Sequence, residues 1–105
     1  MESTLASFFR AINSNHVDAA LDCMSDEISV SYPDPGRNWT GKKKGRVVMT
    51  AVFGQLNRAA QVVTYEICKR NDAVIETMEC WGGGVHRTSC KYTFDAQYKI
   101  LKMES

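Results

Sequence analysis

The chain reads as an α+β domain in which helices come first, one strand and a third helix follow, and a curved, mostly antiparallel sheet completes the fold. Three observations predict this. Apolar residues recur at helical spacing before residue 25 and again over 42–58. From residue 60 onward the pattern becomes strand-like, and Pro, Gly and Asn-Asp clusters punctuate the segments.

Leu5, Phe8, Phe9 and Ile12 fall at i, i+3, i+4 and i+7, which predicts a helix from about Ser3 to Asn13 with one apolar stripe. Asn15, with Asp18 three residues on, has the chemistry of a helix N-cap, and Val17, Ala20, Leu21 and Met24 continue at helical spacing, predicting a second short helix. Ile28 to Tyr32 alternates apolar and polar as a half-buried strand does, and Pro33-Asp34-Pro35-Gly36 stops it. Val48, Val52 and Leu56, widened by Met49 and Phe53, predict a third helix over Lys42 to Arg58, with Gly45 weakening its first turn. Strands are predicted over Gln61–Arg70, Ala73–Trp81, Val85–Asp95 and Tyr98–Met103, joined by Asn71-Asp72, Gly82-Gly83-Gly84 and a turn near Ala96-Gln97.

Composition narrows the functional classes. With 105 residues, the chain 1–105 has the size of one domain with a modest core, and a small sheet protein often covers a face with a second copy of itself. The formal net charge is +1, so no global field draws nucleic acid or a membrane surface, and neither is expected as a partner. The charge is unevenly placed: residues 1–41 carry six acids and two bases, whereas Lys42, Lys43, Lys44, Arg46 and Arg58 follow without an acid among them. A solvated helix face explains such a cluster, and an anion site at the helix start is the sharper alternative.

Cys23, Cys68, Cys80 and Cys90 form no C-x-x-C pair and share no metal-ligand spacing with His16 or His86, so neither a metal nor another cofactor is expected. The N-terminus MESTLASFFRAINS lacks the basic and apolar regions of a secretory signal, and the expectation is a cytoplasmic protein with reduced thiols.

The order of these elements, from FFRAINSNHVDAALDCMSDEISVSYPDP through NWTG to KYTFDAQYKILKM, resembles the nuclear-transport-factor-2-like (NTF2-like, or SnoaL-like) superfamily over nearly the whole chain. The resemblance implies a cone, also described as cystatin-like: three N-terminal helices packed on the concave face of the sheet, with a pocket inside and homodimers formed through the outer sheet face. Members include isomerases, cyclases, dehydratases and non-catalytic subunits, so the fold leaves function open. Steroid isomerases of this fold use a tyrosine on the first helix, an aspartate at the end of the first strand and a carboxylic acid on the penultimate strand. Here those positions hold Phe8, Tyr32 and Cys90, and Asp34 replaces Tyr32 as a base only if the loop shifts by two residues.

Hairpin register decides which side chains face the pocket. A three-residue Gly82-Gly83-Gly84 loop pairs Trp81 with Val85, Cys80 with His86, Glu79 with Arg87 and Glu76 with Cys90. The pocket face then carries Val74, Glu76, Met78 and Cys80 against His86, Thr88, Cys90, Tyr92 and Phe94, and the opposite face carries Ile75, Thr77, Glu79 and Trp81. On this reading Glu76, His86, Asp34 and Tyr32 are the candidate proton-transfer residues. Phe8, Trp39, Met78, Cys90, Tyr92 and Phe94 are the candidate ligand-binding wall. Cys90 and His86, four strand residues or roughly 13 Å apart, are too distant for direct thiol activation. Two functions follow: a small apolar-ligand protein able to move a proton without a cofactor, or a non-catalytic dimeric module whose cone is filled by its own aromatics.

Overall fold

The first helix, α1 (Glu2–Asn13), buries Leu5, Phe8, Phe9 and Ile12, the stripe its spacing predicts, together with Ala11. The structure, a computed structural model, describes residues 1–33, 38–81 and 86–105, with His86 described by its backbone only. After α1 come α2 (Val17–Asp22), β1 (Met24–Ser31), β2 (Trp39–Thr40), α3 (Lys42–Arg58), β3 (Thr64–Arg70), β4 (Val74–Trp81), β5 (His86–Phe94) and β6 (Ile100–Glu104). Among the described residues, these six strands form one sheet in the order β2-β1-β6-β5-β4-β3. β1 runs parallel to β6, and the other neighbouring pairs are antiparallel.

Three local features differ from the sequence expectation. Asn15 does not cap α2. It takes a φ of 58°, and its N–H bonds to the Ile12 carbonyl to close the end of α1, so His16 becomes the residue before α2. A short polar side chain is among the few that tolerate this left-handed backbone. Met24 belongs to β1, which starts four residues earlier than its alternation suggests, and the two-residue β2 is too short to leave a periodic signal.

Gly45, which looks like a flaw in α3, has a packing reason. A Cβ built there would lie 2.8 Å from the ring of Trp39, so α3 lies directly against that buried indole.

The core sits between the helices and the concave face of the sheet. Phe9 stacks on Tyr65 with ring centroids 4.2 Å apart, and both Phe8 and Phe9 meet Tyr92 edge-on at 6.3 Å. Burying each such aromatic contributes about 1.5–3 kcal/mol, and these rings anchor α1 on β3 and β5. Asn13 reinforces this from its side chain, donating to the Val63 carbonyl at 2.9 Å and accepting from the Val63 N–H at 2.8 Å.

The hairpin register corrects the pocket face. Trp81 pairs with His86, Cys80 with Arg87, Glu79 with Thr88, Met78 with Ser89, Thr77 with Cys90, Glu76 with Lys91 and Ile75 with Tyr92. Four residues, not three, therefore separate the paired ends. The glycine loop itself lies outside the described residues. Because side chains alternate along a strand, this one-residue difference exchanges the two faces of β4 while leaving β5 unchanged. Ile75, Thr77, Glu79 and Trp81 share the concave side with Cys90, Tyr92 and Phe94, and Glu76, Met78 and Cys80 turn outward.

Candidate functional site

Inside the cone, β4 places one buried carboxyl group, that of Glu79. Glu79 is 1 % exposed, as is Thr77, whereas the core around them is apolar. Its Oε2 accepts hydrogen bonds from the Thr77 hydroxyl at 2.8 Å and the Tyr92 hydroxyl at 2.5 Å, and its Oε1 accepts from the Trp81 indole N–H at 3.0 Å. The spacing is a property of the strand. Thr77, Glu79 and Trp81 at i, i+2 and i+4 stand on one face, and Tyr92 reaches them from β5. No buried side-chain oxygen or nitrogen among the described residues lacks a partner, so the cluster is fully satisfied.

No lysine or arginine among the described residues pairs with Glu79. A buried carboxylate without a cation is held by donors alone, an arrangement that costs desolvation and is made tolerable by charge-assisted hydrogen bonds. The negative charge is felt by its neighbours. Burial raises the Tyr92 phenol well above its ordinary 10.0, and the Glu79 charge and its hydrogen bond add to this, with smaller contributions from Cys90 and Tyr32. Burial first, then the charge of Glu79 and hydrogen bonding to it, push the Cys90 thiol up to about 12. Both groups therefore keep their protons at neutral pH, and Glu79 is surrounded by neutral donors.

The sequence candidates divide between two faces and the loops. Phe8, Trp39, Cys90, Tyr92 and Phe94 are buried in the core, and the half-buried Tyr32 packs against it. Tyr32 also accepts order from its loop, since its N–H donates to the Asn38 side-chain oxygen at 2.8 Å. Glu76 and Met78 lie on the outer face, where Glu76 has Lys91 and Lys69 as its register partners. The side chain of His86 and all of Asp34 lie outside the described residues. The three-residue-loop register places Glu79, the carboxylate that does enter the cone, on the face opposite the pocket. Two large residues on its own alternation, Ile75 and Trp81, are the sequence signal that favours this face for burial.

Among the described residues, cavities open away from this cluster. One, of about 350 Å³, opens between α2 and the start of α3 and is lined by Asp18, Leu21, Asp22, Lys42, Lys43 and Arg46. Its charges are largely paired: Arg46 meets Asp18 at 2.7 Å and Lys42 meets Asp26 at 3.4 Å. The basic run at the start of α3 thus balances the acids of the preceding segment. Another, of about 280 Å³, opens on the outer side of β3, β4 and β5 beside Met78, Cys80 and Arg87. Among the described residues, no set of three or more His, Cys, Asp or Glu side chains is arranged to hold a metal, and no helix is long and apolar enough to cross a membrane.

With three helices on the concave face of this six-stranded mixed sheet, the chain has the NTF2-like (SnoaL-like) α+β fold. No family model matches the sequence, and no curated protein matches it. Among solved structures, it is similar to a SnoaL-like protein of unknown function from Burkholderia thailandensis, with a TM-score of 0.82 at 13% identity over 98% of this chain and 90% of that one. It is also similar to SalBIII, described as an epoxide hydrolase/cyclase-like enzyme in pyran ring formation in the polyether salinomycin, with a TM-score of 0.70 at 16% identity over 98% and 86% of the two chains. An NTF2-like protein of unknown function from Cytophaga hutchinsonii has a TM-score of 0.67 at 17% identity, over 99% and 96%. At these identities the likeness is one of fold.

Proposed function

We propose that the chain is a cone-type protein that binds a small, neutral, largely apolar molecule and moves a proton on it at Glu79, without a cofactor. The observation that carries this reading is the buried carboxylate with its three protein donors and no paired lysine or arginine among the described residues. Such a group is oriented before any ligand arrives, and in a water-poor site a fixed carboxylate is an effective base. Tyr92 and Thr77 hold Glu79 in place, while the aromatic wall of Phe8, Phe9 and Tyr92 favours planar or cyclic apolar surface. SalBIII, of the same fold, is described as an epoxide hydrolase/cyclase-like enzyme, which makes cyclic ethers and epoxides a reasonable substrate class to test first.

The test uses 5-nitrobenzisoxazole, a neutral planar compound that opens when a base removes its ring proton and then releases a coloured phenolate, together with a panel of small epoxides. Turnover above the buffer background on either is expected from the native chain. It should be lost in Glu79→Gln with the far-UV circular dichroism unchanged. Equal activity of the native chain and Glu79→Gln on every probe, or none in either, sinks the proposal.

A second reading is favoured by the packed interior. Phe8, Tyr92 and Phe94 are buried, with Tyr32 beside them, and the cavities beside Lys42 and beside Met78 lie outside the cone. On that reading the chain is a non-catalytic module that dimerises through the outer sheet face. Sedimentation of a dimer, combined with no uptake of the neutral dye Nile red, would favour it over the first.

A further inference from the structure

The two oxygens of Glu79 are not equivalent, and the difference says what a ligand must displace. Oε2 carries two hydroxyl donors, Thr77 at 2.8 Å and Tyr92 at 2.5 Å, both on side chains that are 3 % exposed or less. A carboxylate oxygen has about two in-plane acceptor positions, so Oε2 is filled by groups that the core holds in place. Oε1 carries one strong donor, the Trp81 indole N–H at 3.0 Å. The Cys90 thiol also faces the carboxylate, but S–H is a weak donor and Cys90 is itself buried. Trp81 is different in kind: it is half-buried, the last residue of β4, and the outermost of the donors along that strand.

From this we infer that Oε1 is the working oxygen of Glu79 and that Trp81 is the positioning residue whose indole N–H a ligand replaces. This rests on the reading of the cone as a ligand site and goes further by naming the ligand's chemistry. Removing the indole leaves a buried anionic oxygen short of a donor, which is costly unless the incoming molecule supplies one. The site therefore favours a neutral molecule that turns a polarised hydrogen (an O–H, an N–H or an acidic C–H) toward Oε1 from an apolar, planar frame. It binds the same frame more weakly when that hydrogen is capped, and it repels carboxylates and phosphates. The displaced indole ring offers the stacking surface for the frame.

The experiment compares two probes of nearly the same shape, 2-naphthol and 2-methoxynaphthalene, by direct titration of the native chain below pH 8. Binding of 2-naphthol tighter by about tenfold or more is expected, with the preference lost in Glu79→Gln. Trp81→Phe, which keeps an aromatic ring and removes the competing N–H, should bind 2-naphthol several-fold more tightly. A readout without any variant comes from the chain's two tryptophans, since Trp39 is buried against Gly45 and only the indole N–H resonance of Trp81 should move on saturation with 2-naphthol. Equal binding of the two probes, or an unmoved Trp81 resonance at saturation, overturns the inference while leaving a pocket in the cone. Binding of neither probe overturns it together with the ligand-site reading.

Discussion

Glu76 and Glu79 lie three residues apart on the same strand and experience opposite physics. Glu76 stands on the outer face of β4 between Lys91 and Lys69 in register, half-exposed, where water and neighbouring cations share the work of solvating it. Glu79 stands on the concave face, 1 % exposed, and is solvated by three side chains instead. A glutamate on a sheet is thus defined by the parity of its position: one step along the strand moves it from an ordinary surface charge to a buried anion that organises its surroundings.

Ionisation separates the two faces most widely. Cys90, on the concave side, is pushed up to about 12 from 9.0, so at pH 9 it is almost wholly thiol, whereas an ordinary thiol there is about half thiolate. Alkylation of Cys90 by iodoacetamide at pH 9 should be slower in the folded chain than in the urea-unfolded chain by a factor of several hundred, measured by peptide mass. Cys80 and Cys68, half-exposed and exposed, should label first. The same protons link pH to stability. Cys90 and Tyr92 bind theirs more tightly folded than unfolded, so their contribution is fully present below pH 9.0 and is lost as pH climbs towards about 12 and beyond. A urea midpoint that stayed flat from pH 8 to 11 would contradict the placement of both groups.

Substitution sharpens the contrast in energy. Glu79→Ala leaves the Thr77, Tyr92 and Trp81 donors facing a cavity, and a loss of about 3 kcal/mol is expected. In a domain of this size that is a fall in Tm on the order of 15 °C. Glu76→Ala on the outer face should stay within about 0.5 kcal/mol of the native chain. Comparable losses for the two would mean that the faces are not as different as their burial implies. Next in size is Thr77→Val, which keeps the branched shape a strand prefers and removes one donor to Oε2. Its expected cost is about 1 kcal/mol by urea unfolding, and no cost at all would mean that Tyr92 alone suffices to hold that oxygen.

The fold was legible in the sequence because it is written in repeated, redundant signals. The stripe of Leu5, Phe8, Phe9 and Ile12 is buried as its spacing implies, α3 runs over the predicted Lys42–Arg58, and the Cys90, Tyr92 and Phe94 face of β5 is the concave one. The site rests instead on a single integer, the number of residues between Trp81 and His86. Glycines impose no side-chain pattern that would fix that number, and β4 carries a plausible apolar set on either parity: Val74, Met78 and Cys80, or Ile75 and Trp81. Average polarity favours the first set, which carries one polar residue, Glu76, over the second, which carries two, Thr77 and Glu79. What decides the matter is tertiary: Thr77, Trp81 and Tyr92 make the buried charge tolerable, and no local pattern announces that partnership.

The smallest effect probes that integer directly. In the observed register Glu76 faces Lys91 across the hairpin and Lys69 on its other side, so Glu76→Lys places three like charges in a row on a solvated face. Directly opposed like charges on a sheet cost a few tenths to about 1 kcal/mol, and exposed pairs are screened by salt. The expected loss is therefore about 0.5 kcal/mol at low ionic strength, shrinking when urea unfolding is repeated at high salt. In the three-residue-loop register Glu76 would face Cys90 within the core, and a lysine there would bury an unpaired charge. A loss of several kcal/mol insensitive to salt would favour that alternative and remove Glu79 from the cone. A small, salt-sensitive loss ties Glu76 to the surface and, by strand alternation, leaves Glu79 as the carboxylate inside.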